Sequence, residues 1–490
     1  MLEIIVFICG AVVMILEMVG SRILAPYLGS SIVVWSSLIG IILGSLSLGY
    51  WWGGKLADRN PTYRALALII FLAAIFTVTI AFSKSATLDY LQHYAGSIHL
   101  ASSLATLILF APPSTLLGMV TPYAVRLKIR NLQEAGRTVG RLYAISSVGS
   151  IFGTFFAGFF LIAFWGSTNI LFTLALVLAV TSLLASFGDR ILKVTGIVLL
   201  IGFWAAAQSY EAYLTNLGFH DIDTPYSRIF IYPSIKEETG EPTRVMATHP
   251  KGVQSAMYLA DPVKLAVDYA QFYQLATHFK PDMKELLMLG GGGYSFPKFA
   301  LAHYPEVHMD VVEIDPEVTA LARRFFALQE DPRLAIFHQD ARTFLNAPGK
   351  QYDVIFGDTF GSHYSIPFHL STIEAVQRMH DALVDDGVAL VNILAAIDGE
   401  SGRFLRAEYA TFKAVFPRVY LFPVADPHDG QRWQNIMLVA LKAKSEPCLR
   451  SDNPTLEQLL SHLWTKPMSE DLPPLTDDFA PVDYYLSFFR

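Results

Sequence analysis

The chain has 490 residues, of which 53% are hydrophobic and 16% are charged, and its net charge at pH 7 is −7. The negative charge argues against a nucleic-acid-binding protein, and two cysteines are too few for a disulfide framework or a cysteine-ligated zinc site. About a quarter of the residues of a soluble protein are usually charged, so part of this chain is expected in a membrane.

Apolar residues are concentrated in the first 208 positions. Because a helix needs roughly 20 apolar residues to cross a bilayer, this half predicts a transmembrane domain over residues 1–210 with about seven spans. Glycines four residues apart, such as Gly49 and Gly53, indicate closely packed helices. The predicted spans are 4–20, 32–52, 65–83, 99–121, 142–165, 168–187 and 192–208, the last being the shortest.

Lysine and arginine predict the orientation of these spans. They are frequent in the loops 53–64 and 122–141 and near residue 190, whereas the loop 84–98 has only Lys84. The basic loops, and with them the N-terminus, are therefore expected in the cytoplasm. A true span at 192–208 would then place the C-terminal half outside. Either that segment lies in the membrane interface, or another boundary is wrong, or the C-terminal half really is outside. We expect a multi-pass cell-membrane protein with a cytoplasmic C-terminal domain.

The second half of the sequence reads as a globular protein. Residues 221–283 predict a small region of β-strands, and residues 284–490 alternate strands with helices, which is typical of a parallel sheet covered by helices. The fold class is an α-helical membrane bundle followed by an α/β domain of the Rossmann-like, class I methyltransferase-like type. The predicted strands are 285–290, 308–314, 334–338, 352–357, 387–394, 418–424 and 434–441; the predicted helices are 294–303, 316–327, 369–384 and 400–415.

Glycines or carboxylates follow four successive predicted strands. Because such sheets bind ligands at the carboxyl ends of their strands, we expect these residues to form one site. In strand order they are Gly290, Gly291, Gly292 and Gly293; Glu313 and Asp315; Asp340; and Asp358.

This set favours a nucleoside over a phosphate. The glycines are not followed by Lys-Ser/Thr, as a Walker loop requires, and the carboxylates would repel a pyrophosphate. Glu313 lies at the distance from the glycines at which an acid binds ribose hydroxyls, and Asp340 can accept a hydrogen bond from an adenine amine. A cationic sulfonium nucleoside fits best.

The motifs together resemble the spermidine synthases, or polyamine aminopropyltransferases, over about residues 221–445. The membrane half also resembles the membrane-fused branch of that family. The motifs are "TPYSRIFIY" (224–232), "KGVQSAMYL" (251–259), "FYQL" (272–275), "GGGG" (290–293), "VVEID" (311–315), "QDA" (339–341) and "YDVIFGD" (352–358).

The resemblance implies roles for individual residues. Glu313 would bind the ribose, Asp340 the adenine, and Asp358 would deprotonate the attacking amine. The implied cosubstrate is S-adenosylmethionine or its decarboxylated form, without a metal. The further residues implied at the nucleoside and acceptor sites are Gln254, Tyr273, Gln274, the four glycines, Ile314 and Ala341.

Three features depart from the family pattern. The acid that usually follows the third glycine and holds the aminopropyl amine is Gly293 here, the acid three residues after the catalytic one is Gly361, and the tyrosine usual in the late loop is absent from "VADPHDGQRW" (424–433). These departures argue against putrescine with the decarboxylated cosubstrate and favour ordinary S-adenosylmethionine or another acceptor.

His363 and Tyr364 either line the acceptor pocket, with His363 as a base, or lie in a surface loop. Asp477 and Asp478 are candidate replacement carboxylates, or only helix-cap or turn residues.

Three functions stay open. The first is an aminopropyl-type transfer that releases methylthioadenosine, and the second is methyl transfer from S-adenosylmethionine, or its cleavage. The third is a transporter or sensor whose domain binds a nucleoside or polyamine, since "GGKLADR" (53–59) resembles a loop of major facilitator transporters. The expected partners are a small-molecule amine or other acceptor, the lipid bilayer and possibly a second copy of the chain, but no nucleic acid.

Overall fold

The computed structural model describes residues 1–59, 61–129, 131–186, 190–249, 252–359 and 366–486. By the contacts among its residues the chain divides into two compact units, Met1–Arg228 and Ile229–Arg490.

The first unit is a bundle of long apolar helices. Six of its described helices are long and apolar enough to cross a membrane, and there are seven if α4 and α5, which meet at a bend of 53°, form one span. The helices are α1 Leu2–Leu28, α2 Ile32–Arg59, α3 Tyr63–Tyr94, α4 Ile98–Leu109, α5 Ala111–Lys128, α6 Ala135–Phe164, α7 Ser167–Ala185 and α8 Arg190–Asn216, followed by the strand β1 His220–Asp223.

Glycines allow these helices to approach closely. A Cβ on Gly49 of α2 would lie 2.2 Å from the carbonyl oxygen of Thr115 in α5, and one on Gly149 of α6 would lie 2.2 Å from that of Phe7 in α1. The same pattern does not mark a contact everywhere, because Gly40 has open space around its Cβ position. Small residues at four-residue spacing thus fix the pairs α2–α5 and α1–α6.

The second unit combines a small antiparallel sheet with a larger mixed one. Strands β2, β3 and β4 pair antiparallel in that order. The larger sheet has the order β10-β11-β9-β8-β5-β6-β7. Its strands are parallel except β11, which pairs antiparallel with both β9 and β10, as the short connection after residue 424 predicts.

The elements of this unit lie close to the predicted ones. The predicted helix 369–384 begins later, because Thr372 caps it by accepting from the Ala375 amide. The strands are β2 Arg228–Ile235, β3 Pro242–Ala247, β4 Ser255–Tyr258, β5 Glu285–Leu289, β6 His308–Val312, β7 Leu334–Phe337, β8 Tyr352–Gly357, β9 Leu383–Ala395, β10 Arg418–Pro423 and β11 Gln434–Leu441. The helices are α9 Asp268–Gln271, α10 Leu275–Phe279, α11 Ser295–His303, α12 Pro316–Phe325, α13 Ala341–Leu345, α14 Ile373–Ala382, α15 Arg403–Val415, α16 Pro454–Leu460 and α17 Val482–Leu486.

The chain order of the strands creates a switch point beside β5. From β5 the chain moves outward to β6 and β7, and then returns to β8 on the other side of β5. Leu289 at the end of β5 is level with Val312 of β6 and Gly357 of β8. The ends of three parallel strands therefore meet where sheets of this class bind ligands.

Candidate functional site

The glycine run begins in a backbone conformation that only glycine adopts easily. Gly290 has φ +94°, and its amide donates to the Val312 carbonyl at 2.8 Å. A Cβ here would lie 2.2 Å from the carbonyl oxygen of Asp358. Any side chain would push the glycine loop away from the strand end that carries Asp358.

Glu313 organises the next part of the loop. One of its carboxylate oxygens accepts from the Gly291 amide at 2.8 Å and the other from the Asp315 amide at 3.0 Å. The side chain is buried, and burial raises the pKa of this carboxyl above its usual value. The hydrogen bonds from the backbone amides lower the pKa, but by less than burial raises it. Ile314, the next residue, is 40% exposed and offers an apolar surface beside the predicted ribose position.

Gly293 occupies a tight position. Its amide donates to the Ser255 hydroxyl at 2.9 Å. A Cβ here would lie 2.9 Å from the Cβ of Ser255 and 3.1 Å from a ring carbon of Phe326. The packing therefore leaves no room for the acid that the family pattern has at this position.

Asp358 is held by two neutral donors at the end of β8. The Tyr269 hydroxyl donates to its Oδ2 at 3.1 Å, and the Asn392 amide donates to its Oδ1 at 3.1 Å. Asn392 is in turn bonded by the amide of Asn435 at 3.0 Å. Burial raises the pKa of Asp358 to about 6, although these hydrogen bonds act in the opposite direction. A carboxyl with this pKa can take up and release a proton near neutral pH.

Tyr273 is buried beside Asp358. Its hydroxyl is fully buried near the Asp358 carboxylate, without a well-formed hydrogen bond. Its ring packs at 5.0 Å from Phe296 and 5.3 Å from Phe356. Burial, with Asp358 adding to it, raises the pKa values of both Tyr269 and Tyr273 well above that of a free tyrosine.

The two predicted glutamines are placed differently. Gln254 contributes its backbone carbonyl, which lies 3.0 Å from the Tyr269 hydroxyl and shares the single proton of that hydroxyl with Asp358. Gln274 directs its amide to the side chain of Gln271 at 2.9 Å. The ligand roles that the resemblance implies for these two side chains stay predictions.

Asp340 begins α13 and has a second partner. Its Oδ1 accepts from the Thr343 amide at 2.9 Å, which caps the helix, and its Oδ2 lies 3.2 Å from Nε2 of His369. Ala341 follows it and is buried. Asp477 is bonded by Arg342 at 2.7 Å and by Thr372 at 2.6 Å, so it stabilises the starts of two helices.

The predicted catalytic His363 falls within residues 360–365, outside the described residues, as do Tyr364 and Gly361.

The sequence reasoning missed three residues of the site, Tyr269, Asn392 and His369. Tyr269 lies four positions before Tyr273, a spacing that brings side chains together in helical segments. Asn392 is the one polar residue within the apolar run "VALVNILA" (388–395), and such a buried amide needs a partner. His369 gave no comparable signal.

Part of the second unit is similar to known proteins. Residues 271–438 match the family described as the spermine/spermidine synthase domain. A polyamine aminopropyltransferase of Vibrio vulnificus is 34% identical over 166 residues, which cover 33% of this chain and 53% of that protein. The chain thus spans about half of that relative.

Two further relatives differ in what they share with the chain. Polyamine aminopropyltransferase 1 of Streptomyces coelicolor is 24% identical over 413 residues, 79% of this chain and 74% of that protein, so the similarity extends into the first unit. An N-terminal histidine N-methyltransferase of Emericella nidulans is 33% identical over 167 residues, 33% of this chain and 28% of that protein.

Proposed function

We propose that this chain, whose second unit is spermidine synthase-like, is an integral membrane transferase that uses an S-adenosyl compound. One observation carries the proposal: Asp358, with a pKa raised to about 6, lies at the switch point next to the glycine loop that Glu313 organises. An acceptor of protons beside a cradle for a nucleoside is the arrangement that such a transfer requires.

The nucleoside would bind across the ends of β5, β6 and β7. The glycine loop lets the ligand approach the backbone, and Glu313 would accept from the ribose hydroxyls with its remaining lone pairs. Asp340 and Ile314 would contact the adenine from the polar and the apolar side. Three carboxylates near the site favour a ligand that carries the positive charge of a sulfonium.

Alkyl transfer then needs one proton acceptor. An amine nitrogen attacks the carbon next to the sulfonium, the carbon–sulfur bond breaks with its electrons going to sulfur, and the amine proton passes to Asp358. The leaving nucleoside is a neutral thioether, methylthioadenosine in the aminopropyl reaction. Tyr269 and Asn392 hold the carboxylate in position, and much of the rate would come from aligning nucleophile and leaving group.

A second reaction is favoured by the packing around Gly293. The crowding by Ser255 argues against an acid that would hold the free amine of a decarboxylated cosubstrate. Ordinary S-adenosylmethionine keeps a carboxylate beside its amine, which offsets the positive charge there. Methyl transfer, the reaction in the Emericella relative's name, therefore depends less on such an anchor.

Product analysis separates these reactions. The full chain in detergent or nanodiscs would be incubated with amine acceptors and either S-adenosylmethionine or its decarboxylated form, and the nucleoside products measured by mass spectrometry. Methylthioadenosine supports aminopropyl transfer with the decarboxylated cosubstrate, and S-adenosylhomocysteine supports methyl transfer. If neither nucleoside forms, and Asp358→Asn leaves all turnover unchanged, the enzyme proposal fails and a binding role remains.

A further inference from the structure

We infer that the chain crosses the membrane seven times, so that the candidate site faces the compartment outside the cytoplasm. This goes beyond the proposed chemistry, and it differs from the cytoplasmic location expected from the sequence. Three observations within the first unit support it: the course of α8, the course of the bent pair α4–α5, and the separation of charges between the two ends of the bundle.

Helix α8 contacts both ends of α7. Near its start, the Lys193 ammonium donates to the Ser186 carbonyl at 2.8 Å, at the end of α7. About two turns from its end, Trp204 and Gln208 both donate to Oδ1 of Asn169, at the start of α7, at 3.0 and 2.8 Å. These contacts are separated by about 25 Å along α7 at 1.5 Å per residue. A helix lying flat in the interface would not contact both ends of a span, so α8 crosses the membrane.

The bent pair α4–α5 also goes from one end of the bundle to the other. Ser103 of α4 lies 3.4 Å from Ser37, near the start of α2, hydroxyl to hydroxyl. Arg126 in the last turn of α5 pairs with Asp58, near the end of α2, at 3.2 Å. A re-entrant pair would return to the end where it began. The 53° bend therefore belongs to one broken span.

Seven crossings place the two ends of the first unit on opposite faces. At one end Glu3 pairs with Lys128 at 2.6 Å and with Arg141 at 3.0 Å. The chain that leaves α8 is held at the other end, where Asp223 accepts from the Ser167 amide at 2.8 Å. There Arg22, near the end of α1, also donates to the carbonyl of Thr224.

The charges identify which face is cytoplasmic. Of the lysines and arginines that the structure describes within residues 1–228, nine are in or next to the loops at the Glu3 end, and three, Arg22, Lys84 and Arg228, belong to the opposite end. An excess of basic residues marks the cytoplasmic side. The chain therefore continues into the second unit from the non-cytoplasmic face, and a cytoplasmic cosubstrate would have to cross the membrane to reach Asp358.

The two native cysteines provide the test. Cys448 is exposed in the second unit and Cys9 is buried in α1. Intact cells, or spheroplasts where an outer membrane is present, would be treated with a membrane-impermeant maleimide, with Cys448→Ser as the blank. In the C448S background, Tyr94→Cys and Gln133→Cys report the two faces, since both positions are exposed, Tyr94 as the last residue of α3 and Gln133 just before α6.

We expect Cys448 and Y94C to be labelled in intact cells and Q133C only after permeabilisation. Labelling of Y94C but not Cys448 in intact cells would show an even number of crossings and overturn the inference. Labelling of Q133C alone would show the opposite orientation and overturn it as well. The labelling experiment measures no activity, so a result against the seven crossings does not count against the proposed reaction. Absence of turnover in the product analysis, in turn, does not count against this topology.

Discussion

The Nε2 atom of His369 lies 3.2 Å from Oδ2 of Asp340, the carboxylate that the sequence assigns to the adenine amine. The other oxygen of Asp340 caps α13. An adenine amine that binds Asp340 must therefore share Oδ2 with the imidazole or displace it.

We predict that His369 competes with the adenine amine for Oδ2 of Asp340. Removing the imidazole frees this oxygen, so S-adenosylhomocysteine or methylthioadenosine should bind about fivefold more tightly to His369→Ala, a difference of about 1 kcal/mol. The measurement is calorimetric titration of the full chain. His308→Ala, at the opposite end of the parallel strands, should leave the affinity unchanged. An unchanged affinity in H369A would contradict the prediction.

Asp358→Asn should lower turnover by about 10²- to 10⁴-fold, because the amide cannot accept the amine proton. Nucleoside affinity should change less than threefold, since Asp358 is assigned to the reacting amine. The comparison of turnover by product analysis with binding by calorimetry checks this. A variant that loses binding in parallel with turnover would mean that Asp358 acts in the nucleoside site instead.

Tyr269 is expected to set the pH range of the reaction. In the free enzyme kcat/KM should fall below pH 6, where Asp358 becomes protonated. The hydrogen bond from Tyr269 lowers the pKa of Asp358, so Tyr269→Phe should move this limb to higher pH. Tyr273→Phe is the matched control, because its hydroxyl makes no well-formed bond, and it should move the limb less. If Y269F does not move the limb, the expectation is contradicted, and equal shifts in both variants would show that the two hydroxyls lower the pKa of Asp358 alike.

Glu408 on α15 should make stability depend on pH. It is 2% exposed, one carboxyl oxygen has no hydrogen-bond partner, and burial raises its pKa well above the usual value. Because the pKa of Glu408 is raised in the folded state, the stability that depends on this carboxyl is fully present below its pKa in the unfolded state. That stability is lost as pH rises through its pKa in the folded state. Glu408→Gln should therefore leave the melting temperature unchanged at pH 4 and raise it by a few degrees at pH 8. Stabilisation that is equal at both pH values would contradict this explanation.

Gly293→Asp should not create an amine anchor by itself. The new side chain would overlap Ser255 and Phe326, and overpacking of this kind costs about 1–3 kcal/mol. The double variant G293D/S255G restores space and should be more stable than G293D in thermal unfolding. The double variant should also gain activity with decarboxylated relative to ordinary S-adenosylmethionine. No gain would mean that the missing acid at residue 293 is not what excludes the decarboxylated cosubstrate.

The sequence predicted the ends of the parallel strands well, and with them Glu313, Asp340 and Asp358, because apolar runs bounded by glycine or acid identify such strands locally. It predicted one span over 99–121 but not the bend near Phe110, where Pro112 and Pro113 begin a new helix. Tyr269, Asn392 and His369 reach the site from elements far away in sequence, so their contribution depends on tertiary packing. The sequence shows that Gly293 stands where the family pattern has an acid. Only the position of Ser255 in the structure explains why a side chain at residue 293 would be crowded.

Hydrogen bonds join Asn435 to Asn392 and Asn392 to Asp358, and they limit how Asp358 loses its proton after each turnover. Amides cannot take a proton from a carboxylic acid, and Tyr269, whose pKa is well above normal, already donates its own. Among these partners, none can relay a proton inward. We therefore expect a proton captured by Asp358 to reach solvent only after the product has left, so that product departure and regeneration of the base become one event.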